Sequence, residues 1–454
     1  ISTLVADGAY QVGSETSAEV NVVDNTTSQP IEEFQINSYK NGHQKSPSVT
    51  NLSDGSFIVT WEFEDSNNNI YEIYGQRYDS NGKPVGDEFQ IDSDFNKSGI
   101  THNLSPSVQG LSNGNFIVTW KHSDYMGDIY GKLYNSNGNT ISNDFKINSY
   151  TAYEQEHHSI TSLPNGGFVV TWSSYQDSSD RADNANRKTY DYGVYGQRYD
   201  NSGNPVGEEF QVHTSTDGDQ EYPSVTALSD GGFVVTWNDS KNKISGQRYN
   251  NSGNPVGEEF QVHTSTDDNL TRPSITGLSN GSFVVIYEMD NKIFGKKYDS
   301  NTNLVNDAFQ ISSETKSSFD SSVISLPSGG FLVSWESDKD IYGKRYDGNS
   351  NPVGDIFKVN TIPNNTPKIS QGVSIADSMS AFYEDDPGIT SLSDDRFVIT
   401  WDSYNKGNKQ KGINGKIFRI NESPVLTSIS NFTGATEGNP FTISYADLID
   451  AADE

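Results

Sequence analysis

One motif, written seven times, constrains this chain more than anything else in it. Residues 231–237 read Gly-Gly-Phe-Val-Val-Thr-Trp, a short β-branched and aromatic run entered from a Ser-Asp-Gly turn. Such a run is the signature of a buried strand that follows a hairpin. Phe57, Phe116, Phe168, Phe233, Phe283, Phe331 and Phe397 are equivalent positions, about 50 to 65 residues apart. Four residues after each stands Trp61, Trp120, Trp172, Trp237, Tyr287, Trp335 or Trp401, and this one column uses all 6 tryptophans of the chain. Self-similarity at that period means a repeat architecture, which overrides the prior of about three domains that a length of 454 residues suggests.

Each unit holds four strand-like pieces. In the least decorated unit they are Pro223–Leu228, Gly232–Trp237, Ile244–Tyr249 and Glu259–Val262, here named A, B, C and D. A and B are joined by Ser-Asp-Gly or Ser-Asn-Gly, and C and D by Asn-Gly-x-Pro-Val-Gly in its fullest form, both tight turns with fixed chemistry. Four antiparallel strands per unit, joined by hairpins, are a propeller blade. The sequence therefore predicts an all-β fold: a seven-bladed β-propeller of four-stranded antiparallel blades. D strands centre on Phe34, Phe89, Phe145, Phe210, Phe260, Phe309 and Phe357, so the first D precedes every A–B–C set and the last set lacks one. Pairing Glu33–Asn37 with Gly412–Arg419 closes the ring and removes the exposed edge.

Charge narrows the partners. Lys plus Arg is 31 against 61 Asp plus Glu, a net charge of −30, which repels phosphate backbones and anionic lipid. Nucleic acid is excluded as a partner, and with no run of 18 apolar residues membrane insertion is excluded too. There is no cysteine, which a chain of this size can do without. Ile1 and Glu454 read as the ends of a piece cut from a longer protein, and the piece is expected to be a monomeric module.

The flanks differ from the repeat and divide the chain into 1–29, 30–421 and 422–454. Ala6–Gly13 followed by Ser17–Asp24 resembles the end of a Calx-β domain. Ser423–Thr427 and Ala435–Leu448 resemble the start of the cadherin-like repeats of giant bacterial surface proteins. With the Gly-Gly-Phe-Val-Val-Thr-Trp and Tyr-Gly-Gln-Arg-Tyr-Asp repeats, the chain resembles large, type I-secreted, RTX-type bacterial adhesins. That resemblance implies an extracellular, cell-surface location, calcium as a cofactor mainly in neighbouring modules, and a role in attachment.

The site must be sought away from the uniform parts. A tryptophan at the same place in every blade is inter-blade core, so a sugar site has to use other aromatics. The Asp-x-Asn-Gly turns, such as Asp79–Gly82, lack the further carboxylates of a calcium loop and read as local Asx turns. No nucleophile elbow or metal-spaced histidine pair appears; His157 and His158 are adjacent and point to opposite faces of a strand. No catalytic residue is assigned and metal ligands remain unknown. The B–C and D–A connections vary between blades and emerge on one face of the disc, where binding is usually built. The link into blade three holds Tyr153, Glu154, Glu156, His157 and His158; the B–C loop of blade three, 173–192, holds Tyr175, Asp177, Arg181, Tyr190 and Tyr192; Tyr222 and Tyr383 lie in or beside later links. Aromatic faces beside hydrogen-bonding groups suit a sugar ring. The expected function is binding of a carbohydrate or cell-surface polymer at these residues, with a ligand-free spacer or a polysaccharide-cleaving enzyme as the alternatives.

Overall fold

The structure is a computed structural model and describes residues 20–21, 33–38, 42–65, 70–92, 102–123, 127–182, 188–215, 218–239, 243–264, 272–313, 317–338, 340–360, 387–392, 396–405, 410–419 and 428–429. Residues 31–417 form one compact unit, and 1–30 with 418–454 form a second. Of the second, Val20–Asn21 pairs antiparallel with Ser428–Ile429. The remaining flanking residues, on which the Calx-β and cadherin resemblances fall, lie outside the described residues.

The first unit holds seven four-stranded antiparallel sheets. Blade one is His43–Asn51, Phe57–Asp65, Ile70–Tyr78 and Pro84–Gln90, in the order A–B–C–D. Blade three is Gln155–Ser162, Phe168–Ala182, Lys188–Tyr199 and Phe210–Gln211, and blade four is Gln220–Ala227, Phe233–Asp239, Lys243–Tyr249 and Pro255–Thr264. Blade seven takes Gly388–Leu392, Arg396–Asn405 and Gln410–Arg419 from the end of the unit and its outer strand, Phe34–Gln35, from the beginning. Phe34 faces Gly415 and Gln35 faces Asn414. This is a seven-bladed β-propeller.

The A strands form the inner ring and are tied to one another by side chains. Thr50 accepts from the Gly110 amide (3.1 Å), Thr161 from Ala227 (3.3 Å), Thr226 from Gly277 (2.9 Å) and Thr390 from Asn51 (3.2 Å). The last of these links blade seven to blade one. Threonine suits the role because one strand neighbour of an inward apolar residue must face the next blade and still find a partner.

Between blades lies the core. Trp237 of blade four packs with Leu163, Val169, Val194 and Val212 of blade three, and the same arrangement recurs from the junction of blades seven and one to that of blades five and six. Every residue of the tryptophan column, Tyr287 included, is at most 3 % exposed, which places the column in the core. Phe233 stacks on Tyr249 at 4.7 Å and 9°, and the Tyr249 hydroxyl donates to the Val212 carbonyl of the preceding blade (3.2 Å). The glycine of the Tyr-Gly motif in strand C has a steric cause: a Cβ on Gly343 would lie 2.4 Å from Phe357 Cζ, so the outer strand's phenylalanine packs on bare backbone.

Two expectations about the variable face need correction. The B–C "loop" of blade three is a long hairpin, because strands Phe168–Ala182 and Lys188–Tyr199 continue pairing outward, with Asp177 opposite Asp191, Ser178 opposite Tyr190 and Ala182 opposite Lys188. Whereas the A strands of blades five and seven begin just after Pro273 and Pro387, those of blades one to four and of blade six begin before the proline position and not at it. They carry on past Pro47, Pro106, His158 and Pro223 through a β-bulge, with the register shifting between Lys45 and Ser48, Leu104 and Ser107, Glu156 and Ser159, and Glu221 and Ser224. At each bulge the residue before the proline position takes a left-handed backbone: Ser46 (53°), Ser105 (52°), His157 (49°), Tyr222 (55°) and Asp320 (53°). A bulge costs one ladder position and lets the strand accommodate a residue with no amide to donate.

Candidate functional site

The bulges sit on the inner strands of blades one to four and blade six, at the face where the D–A and B–C connections emerge. In blades one and two the left-handed residues are Ser46 and Ser105; in blades three and four they are His157 and Tyr222, two bulky side chains that adopt this backbone reluctantly. Arg272, which precedes Pro273, holds the same sequence position in blade five. The three meet: the His157 and Tyr222 rings lie 4.0 Å apart, and the Arg272 guanidinium stands 4.8 Å from the Tyr222 ring centre.

Beside them runs a line of tyrosines. Tyr153, on the link into blade three, meets Tyr175 of strand B edge-on at 5.9 Å, and Tyr175 meets Tyr192 of strand C at 5.0 Å. The backbone holds the line in place: the Tyr175 amide donates to the Glu154 carbonyl (3.0 Å), and the Tyr192 amide donates to Asp219 of the link into blade four (2.9 Å). Gln155 ties the site to the core. Its Nε2 donates to the Tyr153 carbonyl (2.8 Å) and its Oε1 accepts from the Trp172 indole (3.0 Å). Gln220 accepts from Trp237 in the same way (3.0 Å), two residues before Tyr222.

Carboxylates border both groups. The Tyr192 hydroxyl donates to Glu154 Oε2 (3.2 Å) and Glu156 Oε2 (3.4 Å). Burial, with Glu156 and Glu154 adding to it, pushes the Tyr192 phenol well above its usual range, so it stays a donor. Glu156 and Glu221 occupy the same position on neighbouring inner strands yet differ in state. Burial alone would raise Glu156, but its ion pair with Lys121, with His157 and Tyr192 contributing, holds it below the usual value. Glu221 is raised to about 7 by burial, then by Asp219 and Glu156, with Arg272 opposing. His157 is lowered by burial to about 4, so its Nδ1, 4.0 Å from Glu221, belongs to a neutral imidazole at neutral pH and the two do not form an ion pair.

Of the residues expected at a site, Tyr153, Tyr175 and Tyr192 form one line and His157 and Tyr222 one stack. His158 takes the proline position and lies buried against the Thr119 backbone of blade two. Asp177 and Arg181 are on strand B and Tyr190 on strand C, farther out along the hairpin than Tyr175 and Tyr192. Tyr383 lies outside the described residues. Lys121, Glu221 and Arg272 complete the arrangement and were missed by sequence reasoning. Arg272 and Tyr222 carry a readable signal, since each precedes the proline of strand A where blades one and two have serine. The Asp-x-Asn-Gly turns are Asx turns: Asp79 Oδ1 accepts from the Asn81 and Lys83 amides (2.9 Å each). Among the described residues no group of three or more His, Asp or Glu is placed to hold a metal ion, and no helix is long and apolar enough to cross a membrane.

The fold and this geometry define a β-propeller with an aromatic and acidic cluster at the variable-connection ends of blades three to five. No protein-family model matches the sequence, and no curated protein matches it. Solved structures match in fold. A protein of unknown function from Dyadobacter fermentans is similar at a TM-score of 0.50 and 10 % identity, over 87 % of this chain and 99 % of that one. An α-L-arabinofuranosidase of Fusarium graminearum in complex with arabinobiose gives 0.47 and 12 %, over 86 % and 98 %, and the SapL1 lectin in complex with α-methyl fucoside gives 0.43 and 12 %, over 71 % and 98 %.

Proposed function

We propose that this propeller is a carbohydrate-binding module, and that the sugar lies on this cluster between blades three and four. The observation that carries the reading is the convergence of Tyr153, Tyr175 and Tyr192 with Glu154 and Glu156 on the face of the variable connections. Ring faces take up the apolar C–H surface of a pyranose, and carboxylates accept from its hydroxyls. The same column in blades one and two offers serines, so the cluster belongs to blades three to five and not to the ring as a whole. In keeping with the adhesin-like repeats, the module belongs outside the cell, on a large bacterial surface protein whose flanking modules take calcium.

The test is a glycan array probed with the full chain and with Tyr175→Ala. Binding by the wild type, reduced about tenfold or more by the substitution at unchanged melting temperature, supports the reading. Silence of the wild type across the array favours a spacer.

One observation favours a second reading. Glu156 and Glu221 hold the same bulge position on the neighbouring inner strands of blades three and four, and a pair of carboxyl groups is what acid–base cleavage of a glycosidic bond uses. Release of reducing ends from a bound polysaccharide, lost in Glu221→Gln, would establish it.

A further inference from the structure

We infer that the tyrosine corner of blade three selects a sugar carrying a protonated amine, a deacetylated amino sugar of a polysaccharide; this rests on the carbohydrate reading above and adds the charge of the ligand to it. The corner comprises Tyr150 and Tyr153 on the link into blade three, Tyr175 on strand B and Tyr192 on strand C, with successive ring centres 6.4, 5.9 and 5.0 Å apart. Their planes meet at 36°, 85° and 55°. The four rings are half-buried and pack on one another, Tyr153 against Tyr175 edge to face, and such an aromatic cluster beside the exposed Glu154 carboxylate suits a compact cation, because ring faces carry the negative lobe of the ring quadrupole.

The charges around the corner agree. Glu156 is matched by Lys121. Glu154 is exposed and, among the described residues, meets the Tyr192 hydroxyl and no cation. The adjoining stack already holds a cation on a ring face, Arg272 over Tyr222 at 4.8 Å. At longer range a net charge of −30 draws polycations towards the molecule and repels polyanions. A neutral polymer would gain nothing from that field.

The test compares two oligomers that differ only in the amine. The full chain is titrated calorimetrically with the β-1,4-linked tetramer of glucosamine and with its N-acetylated counterpart, at mildly acidic pH where the free amine is protonated. The inference expects the glucosamine tetramer to bind about tenfold more tightly or better, a difference of about 1.4 kcal/mol. Glu154→Gln should narrow that preference, Tyr175→Ala should abolish it, and Tyr175→Phe, which keeps the ring, should retain it. Because any polycation is attracted to a chain this acidic, the tyrosine variants leave the net charge unchanged. Equal binding of the glucosamine tetramer by wild type and Tyr175→Ala would mean the field alone is responsible and would overturn the inference. So would equal or tighter binding of the acetylated tetramer, which leaves the carbohydrate reading standing, and so would failure of both tetramers to bind a chain whose melting temperature shows it folded.

Discussion

Trp237 does two jobs with two ends of one side chain. Its ring fills the junction between blades three and four, and its indole N–H holds Gln220, two residues ahead of the Tyr222 bulge. Trp237→Ala should therefore cost about 3–5 kcal/mol in denaturant unfolding, the range for removing a large buried aromatic. Sugar binding should survive in the fraction that folds; normal stability with binding lost would move the column from core to site. Glu221 carries a second expectation at this scale. Its folded pKa, about 7, lies above the ordinary glutamate value, so the folded state holds the proton more tightly than the unfolded one. The stability this confers is present at low pH and is lost as pH rises through the folded pKa. Glu221→Gln removes that loss, so the variant should gain on the wild type between about pH 5 and 8; parallel stability curves across that window would contradict it. Buried Asp92, likewise raised to about 7, tilts both curves in the same direction and leaves their difference to Glu221.

At the scale of elements, the bulge on strand A decides what the site is made of. The seven-fold recurrence of Phe and Trp showed blades, turns and core, because those positions are packed identically in every copy. The bulge itself left a weaker trace. Read as a strand start, Pro223 puts Tyr222 in a loop; in the folded chain the strand reaches back to Gln220, and Tyr222 becomes a left-handed strand residue aimed at its neighbour in the ring. Blade three hid the signal further by writing His158 for proline. The long hairpin Phe168–Ala182 and Lys188–Tyr199 was hidden for a different reason, since its outer half is polar and lacks the alternation that marks a half-buried strand. The partners of the cluster that come from other blades, Lys121 and Arg272, depend on side chains meeting across junctions that no single repeat contains. The bulge can be tested directly. Asparagine tolerates the left-handed region and a β-branched residue does not. His157→Asn should leave the melting temperature nearly unchanged while removing the ring that stacks on Tyr222, and His157→Val should cost about 1–2 kcal/mol. Equal stability of the two variants would show that the backbone there is unstrained.

For the whole molecule, closure and charge set the frame. The outer strand of the last blade comes from the start of the unit, and the Tyr78 hydroxyl of blade one donates to the Ile36 carbonyl just beyond that strand (2.7 Å). Removing residues 1–37 leaves Gln410–Arg419 with a free edge, so the truncated chain should melt lower and self-associate in light scattering. A monomer with an unchanged melting temperature would show that the ring does not depend on its closing strand. A ring so fixed leaves one face uniform, with its Asx turns, and one face free to vary, and the account places the ligand on the second. The measurement that decides this is a crystal structure of the full chain with the glycan that binds it most tightly. The account predicts a sugar against Tyr175 and Tyr192, with polar contacts to Glu154 or Glu156. A sugar seated instead on the opposite face, among the Asp79–Lys83 turn and its equivalents, would contradict it.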